Sequence, residues 1–230
     1  MKKIIGLLLL VVALGIGAYL MLGKPFDKLV KLAIESVGPA LLQVDVSVGS
    51  VKISAMDGRG ALGNFKLGNP KGFKTDRAFK ADNIEVEIDL ASLTGNTIVV
   101  RKVVIDAPDI SYEKGSNGTN FDVIQRNLES YLGASKPDNN DKASGKKVII
   151  ESFLIRNAKV NYNNTIDVPM PDIALHNIGK KSGGESTAQI GKTIFGELNS
   201  RLSVSKSMVV DSVGGAAASV GNSLKGLLGK

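Results

Sequence analysis

The chain of 230 residues has no cysteine and a single histidine, His176. Without thiols it has no disulfides, thiolate zinc sites, iron–sulfur clusters or cysteine nucleophiles. A lone imidazole has no partner with which to share a metal, and no serine has a plausible histidine base. The carboxylate pairs Glu85/Glu87 and Asp106/Asp109 fall on strand exteriors or turns, where solvation accounts for them better than acid–base work. Gly58-Arg59-Gly60-Ala61-Leu62-Gly63 satisfies the dinucleotide pattern letter by letter. The following Phe65-Lys66-Leu67-Gly68-Asn69-Pro70 cannot be the helix whose N-terminus would receive a pyrophosphate, so these glycines read as structural. Asn117-Gly118-Thr119 and Asn163-Asn164-Thr165 match the glycosylation triplet but serve as well as turns. The expectation is a protein that is not an enzyme and has no cofactor and no metal.

The formal charge of +7 is not gathered on one aromatic-laced face. It is spread over Lys2, Lys3, a group from Lys66 to Lys80, Lys146-Lys147, Lys180-Lys181 and the C-terminus. Such a spread suits anionic lipid headgroups or plain solvation and argues against nucleic acid as a partner.

Ile4 to Leu22 is an uncharged apolar run of nineteen residues between Met1-Lys2-Lys3 and Gly23-Lys24-Pro25. At ~1.5 Å per residue it spans roughly 28 Å as a helix, the thickness of a bilayer core. The lysines before it favour a cytoplasmic N-terminus, with the bulk of the chain outside the cytoplasm. The competing reading is a cleaved signal peptide, but Tyr19-Leu20-Met21-Leu22 carries the run past the small-residue Gly15-Ile16-Gly17, and the length favours a retained anchor over residues 1–23. No cysteine follows that could be lipid-modified.

Residues 24–43 place Phe26, Leu29, Val30, Ala33, Ile34 and Val37 at helical spacing, predicting an amphipathic helix that rests on the membrane or caps a sheet. From Val44 the period becomes two. Val44, Val46 and Val48, and then Ile84, Val86, Ile88 and Leu90, alternate with polar residues, predicting a β-sheet domain over 44–178. The absence of ten-residue helical patterns between these strands points to an antiparallel sheet. Residues 98–112 align with 148–162 at an offset of fifty, with apolar matches at 98/148, 99/149, 100/150, 103/153, 104/154, 105/155 and 110/160 and tyrosines at 112/162. One β unit is therefore written twice, or two β-rich stretches resemble each other by chance. Phe121, Ile124, Leu128 and Leu132 predict a helix between the copies, and 133–146 reads as a disordered polar loop. A linker over 179–187 leads to a C-terminal amphipathic helix over 188–230, with Leu198, Leu202, Val209, Val213, Val220 and Leu224 on its apolar face. Its glycine and alanine content requires something to dock on: the sheet, a bilayer or a copy of itself.

Several stretches carry a resemblance to the AsmA-like family of Gram-negative envelope proteins, beginning with the anchor and its following helix. The others are Val46 to Ile53, the glycine-rich Gly58 to Gly68 with Asn69-Pro70-Lys71-Gly72-Phe73, Ile84 to Leu93, Ile105 to Glu113, and Gly118-Thr119-Asn120-Phe121. The resemblance covers about residues 1–178, and the Asn-Pro-x-Gly-Phe element is its most specific part. It implies an inner-membrane protein with its bulk in the periplasm. It also implies an elongated, twisted sheet with an apolar groove related to bridge-like lipid transfer proteins, and a role in phospholipid movement and outer-membrane biogenesis. Long members carry enough β structure to cross the periplasm; about ten strands at ~4.8 Å spacing extend only ~50 Å. The expected groove residues are Ile84, Val86, Ile88, Leu90, Ile110, Tyr112, Val160 and Tyr162, with phospholipid or another acyl lipid as ligand. The alternative function is a non-catalytic structural or assembly factor for envelope proteins, holding partners or a copy of itself on the same surfaces.

Overall fold

A computed structural model describes residues 27–54, 56–134, 146–186 and 189–203. The expected anchor, the core of the polar loop, and Val209, Val213, Val220 and Leu224 lie outside the described residues. Among the described residues no helix is long and apolar enough to cross a membrane.

The fold is mainly β: a sheet curled into a half-barrel, with helices. Helix α1 (Asp27–Leu42) leads into β1 (Val46–Ser54), β2 (Arg59–Gly68) and β3 (Arg77–Ile88), an antiparallel meander. Then come β4 (Thr97–Asp106), β5 (Asp109–Tyr112), the small hairpin β6 (Lys114–Gly115) and β7 (Gly118–Thr119), and helix α2 (Asn120–Ala134). Strands β8 (Lys147–Arg156), β9 (Lys159–Tyr162), β10 (Ile166–Pro169) and β11 (Ile173–Ile178) follow, and helix α3 occupies 189–203.

β3 pairs with β4 along one half and with β5 along the other, so β4 and β5 are one broken strand; β8 and β9 are another. The sheet is therefore six strands abreast at any level, β1-β2-β3-β4-β8-β11 at one end and β1-β2-β3-β5-β9-β10 at the other. Five gaps of ~4.8 Å make it roughly 24 Å wide, half the expected extent.

The antiparallel expectation needs one correction. β4 pairs with β8, and β5 with β9, in parallel: Thr97 faces Lys147, Ile105 faces Ile155 and Tyr112 faces Tyr162. The crossover a parallel pair requires is supplied by α2. The offset of fifty found in the sequence is the register of this ladder, residue for residue.

The curl follows a transverse row at which the two-residue alternation resets. Val48–Phe65 and Ser50–Gly63 pairing puts Gly49 opposite Asn64; Phe65–Ala81 and Gly63–Asn83 pairing puts Asn64 opposite Asp82. Ala107 lies opposite Asn157 by the same logic. Asn64, Ala107 and Asn157 have φ of 52°, 48° and 56°. In β2 and at the β4–β5 and β8–β9 breaks a single left-handed residue rotates the pleat, so both halves keep apolar side chains on one face while the strand bends. Buried positions accordingly run Leu62, then Leu67 in β2, and Ile105, then Ile110, across β4 and β5.

All three helices pack on that face. Val30, Ile34 and Leu42 of α1, Phe121, Ile124 and Leu128 of α2, and Ile190, Ile194, Phe195, Leu198 and Leu202 of α3 join the sheet's apolar residues in one core. Helix α1 runs antiparallel to β1: Gly38 lies against Val46, the Glu35 carboxylate accepts the Val48 N–H at 2.9 Å, and the Lys31 ammonium donates to Gly49 O at 3.4 Å. Those contacts occupy edge groups that would otherwise invite another strand. We call the end at which α1 starts proximal and the opposite end distal.

Candidate functional site

The eight expected groove residues share the helix-covered face but form two sets. Ile84, Val86 and Ile88 lie on β3 towards the proximal end, all buried, with Leu90 half-buried in the turn after it. Ile110 and Tyr112 of β5 face Val160 and Tyr162 of β9 at the distal end. Ile110 sits five residues beyond Ile105, the partner of Ile84, which separates the sets by roughly 16 Å. Glu85 is exposed on the opposite face, and Glu87 pairs there with Arg59 at 3.9 Å.

The distal set is built from aromatic rings. Tyr112 meets Tyr162 edge-on at 5.4 Å between centroids, stacks on Phe121 of α2 at 6.1 Å, and Phe121 in turn meets Phe195 of α3 at 5.9 Å. The rings provide a continuous apolar contact from sheet through α2 to α3. Helix α3 closes over it. Ser186 Oγ accepts the Gln189 N–H at 3.3 Å at the start of the described helix. The Tyr162 hydroxyl donates to Leu202 O at 2.8 Å, and Asn199 Nδ2 donates to Asp122 Oδ1 at 3.2 Å. Leu198 and Leu202 of the expected docking face are buried on the sheet side, with Leu202 wholly so. Asp122 also accepts the Thr119 N–H at 2.8 Å while Thr119 Oγ1 accepts the Asp122 N–H at 3.1 Å, a capping box at the start of α2. Burial would raise the Asp122 pKa, but the Thr119 bonds, the Asn199 amide and the Arg126 charge hold it below its ordinary value.

A buried polar knot at the distal end was not expected from the sequence. Glu113 is only 4% exposed. Its carboxylate accepts the Lys74 N–H at 2.7 Å, the Thr75 N–H at 2.9 Å, Asn69 Nδ2 at 3.1 Å and the Thr75 hydroxyl. Asn120, fully buried, donates to Asn69 Oδ1 at 2.7 Å and Ser111 O at 2.6 Å and accepts the Glu113 N–H at 3.0 Å. Burial pushes the Glu113 pKa up, but the bonds from Thr75 and Lys74 with the Lys74 charge outweigh it and hold the carboxylate ionised. Asn69 opens the Asn-Pro-x-Gly-Phe element and Asn120 belongs to Gly118-Thr119-Asn120-Phe121, so the two most distinctive motifs meet at one carboxylate. The signal was their unusual composition; nothing in their spacing told that they touch.

Recesses on the outer face include one of about 560 Å³, of mixed character, lined by Lys52, Ile53, Arg59, Ala61, Val86 and Glu87, and a more polar one of about 390 Å³ lined by Asp76, Arg77, Asp109, Lys159, Asn161 and Asp167. Asp106 is held below its ordinary pKa by the Asn157 amide and then by Arg156. His176 is exposed on β11 opposite Ser152, and among the described residues no three His, Cys, Asp or Glu converge as a metal site. Gly58, with φ of 66°, sits where a Cβ would come within 2.4 Å of Ile88 O, a structural demand that accounts for it. The chain matches no known protein family and no curated protein.

Proposed function

We propose that the protein is a membrane-anchored envelope protein of the AsmA-like kind that shields acyl chains of phospholipid on the inner face of its curled sheet. The observation that carries this reading is the covering of that face: its apolar residues are roofed by amphipathic helices and not by a second sheet. Helix α3 rests on the distal aromatic set, with hydrogen bonds from Tyr162, Asp122 and Tyr112 among its ties. A helix held this way can lift as a unit, giving an acyl chain an apolar surface in exchange for the one the helix leaves. Such shielding needs shape and apolarity but no reactive group. Lipid bound to gently purified protein, identified by mass spectrometry, tests the reading. Phospholipid at a defined stoichiometry supports it; protein free of lipid but bound to an envelope protein favours the structural alternative.

A further inference from the structure

The proximal end gathers segments from across the sheet. The β1–β2 hairpin tip holds Met56, 86% exposed, and is tied to the end of β3 by the Ile88 N–H on Gly58 O at 2.8 Å. The start of β8 is tied to the β3–β4 connection by the Lys147 N–H on Asn96 O at 2.9 Å. The segment after β11 joins both, through Val148 N–H on Glu185 O at 2.7 Å and Thr97 Oγ1 on Gly183 O at 3.2 Å. Lys147, Lys180 and Lys181 are therefore neighbours on this end and all three are exposed. Among the described residues the carboxylates here are Asp27, which has the exposed Lys28 beside it, Asp57, Asp89 and Glu185, of which Asp89 pairs with Arg101 at 3.3 Å. Lysine outnumbers free carboxylate, although these lysines come from segments more than thirty residues apart in sequence.

The same end receives the chain from its apolar run. Only Gly23 to Phe26 separate Leu22 from Asp27, a reach of at most about 18 Å when extended. Leu29 and Leu32, in the first two turns of α1, are 56% and 61% exposed. We infer that the proximal end, with Met56 at its tip and Lys147, Lys180 and Lys181 around it, seats on the anionic surface of the bilayer that holds Ile4–Leu22. This rests on the anchored reading of the protein. The spacer bounds the distance, the lysines match the charge of the headgroups, and exposed Met56, Leu29 and Leu32 supply apolar contacts at the interface. The groove would then open away from or along that surface, with α3 running from it towards the distal end.

The chain lacks tryptophan, so Met56→Trp introduces a single emitter at an exposed position. The full chain carrying it is reconstituted in vesicles of phosphatidylcholine, or of phosphatidylcholine and phosphatidylglycerol in equal parts, with brominated acyl chains as quencher. Ile166→Trp, exposed at the distal end, is the control. The expected result is co-flotation of all variants, with blue-shifted and strongly quenched emission from Met56→Trp in anionic vesicles and water-like emission from Ile166→Trp. Lys147→Glu, Lys180→Glu and Lys181→Glu together should abolish the quenching without abolishing flotation. Flotation with Met56→Trp quenched no more than Ile166→Trp overturns the inference and leaves anchoring intact. Failure to float overturns both. A blue shift that depends on protein concentration without vesicles assigns the end to a second copy and overturns it too. Quenching as expected in protein that carries no acyl lipid would remove the proposed function alone.

Discussion

Glu113 shows how one residue can hold a distant turn in place. Its partners Asn69 and Thr75 lie 44 and 38 positions away, and Asn120 closes the knot. Glu113→Gln keeps the shape but removes the charge and turns a donor towards N–H groups, so it should cost about 2–3 kcal/mol in chemical denaturation. Because the folded pKa is lowered, the stabilisation is present above the unfolded value of about 4.3 and is lost as pH falls below it. The gap in stability between wild type and Glu113→Gln should therefore be full at pH 6 and shrink as the pH falls below about 4. A gap that does not change with pH would show that the charge is not what matters. Ala107 is the second informative residue. It holds φ of 48° where its counterpart in the repeat, Asn157, has a residue that tolerates this region. Ala107→Asn should stabilise by about 0.5–1 kcal/mol, raising Tm by roughly 2–3 °C; an unchanged or lower Tm would contradict the strain argument. The bends at 64, 107 and 157 leave no periodic signal in the sequence, and the knot is hidden there because most of its contacts are long-range.

Elements were more legible than their pairing. Periods of 3.6 and 2 located α1, α2 and the main strands, because one-sided burial imposes those periods on any such element. The repeat was visible because parallel neighbours present the same side-chain order to the same core. Its parallel pairing departs from the antiparallel expectation because a single helix, α2, serves as the crossover between the two copies. Helix α3 carries the element-scale prediction. Leu198→Asp with Leu202→Asp places two carboxylates against Tyr162 and the core, forfeiting ~1.5–3 kcal/mol of apolar burial for each leucine and adding the cost of burying charge. Limited proteolysis should then show new cleavage around Lys180 and Lys181 while the strands β1–β5 and β8–β11 remain protected. Asp122→Ala, which removes both the α2 cap and the Asn199 tie, should produce the same cleavage more weakly. Unchanged protection in the double variant would show that α3 is not a separable cover.

For the whole molecule, the proximal–distal axis orders the parts. Chain from the apolar run enters at the proximal end, α3 runs to the distal end, and the polar knot and aromatic rings are both distal. Six strands abreast make a scaffold roughly 24 Å wide, so the proposed function is one of local acyl-chain shielding and not of a bridge between two membranes. The buried groove residues change how that claim is tested, because Val86→Asp or Ile88→Asp would place a charge in the core and unfold the sheet. The direct measurement replaces Phe195, the α3 ring over Phe121, with a photo-reactive benzoyl-phenylalanine in the full chain in its native membrane, followed by irradiation and mass spectrometry of the purified protein. The account predicts a phospholipid adduct at position 195 and none from the same group at Ile166. Intramolecular links to α2 or the sheet alone, with no lipid adduct, would contradict it.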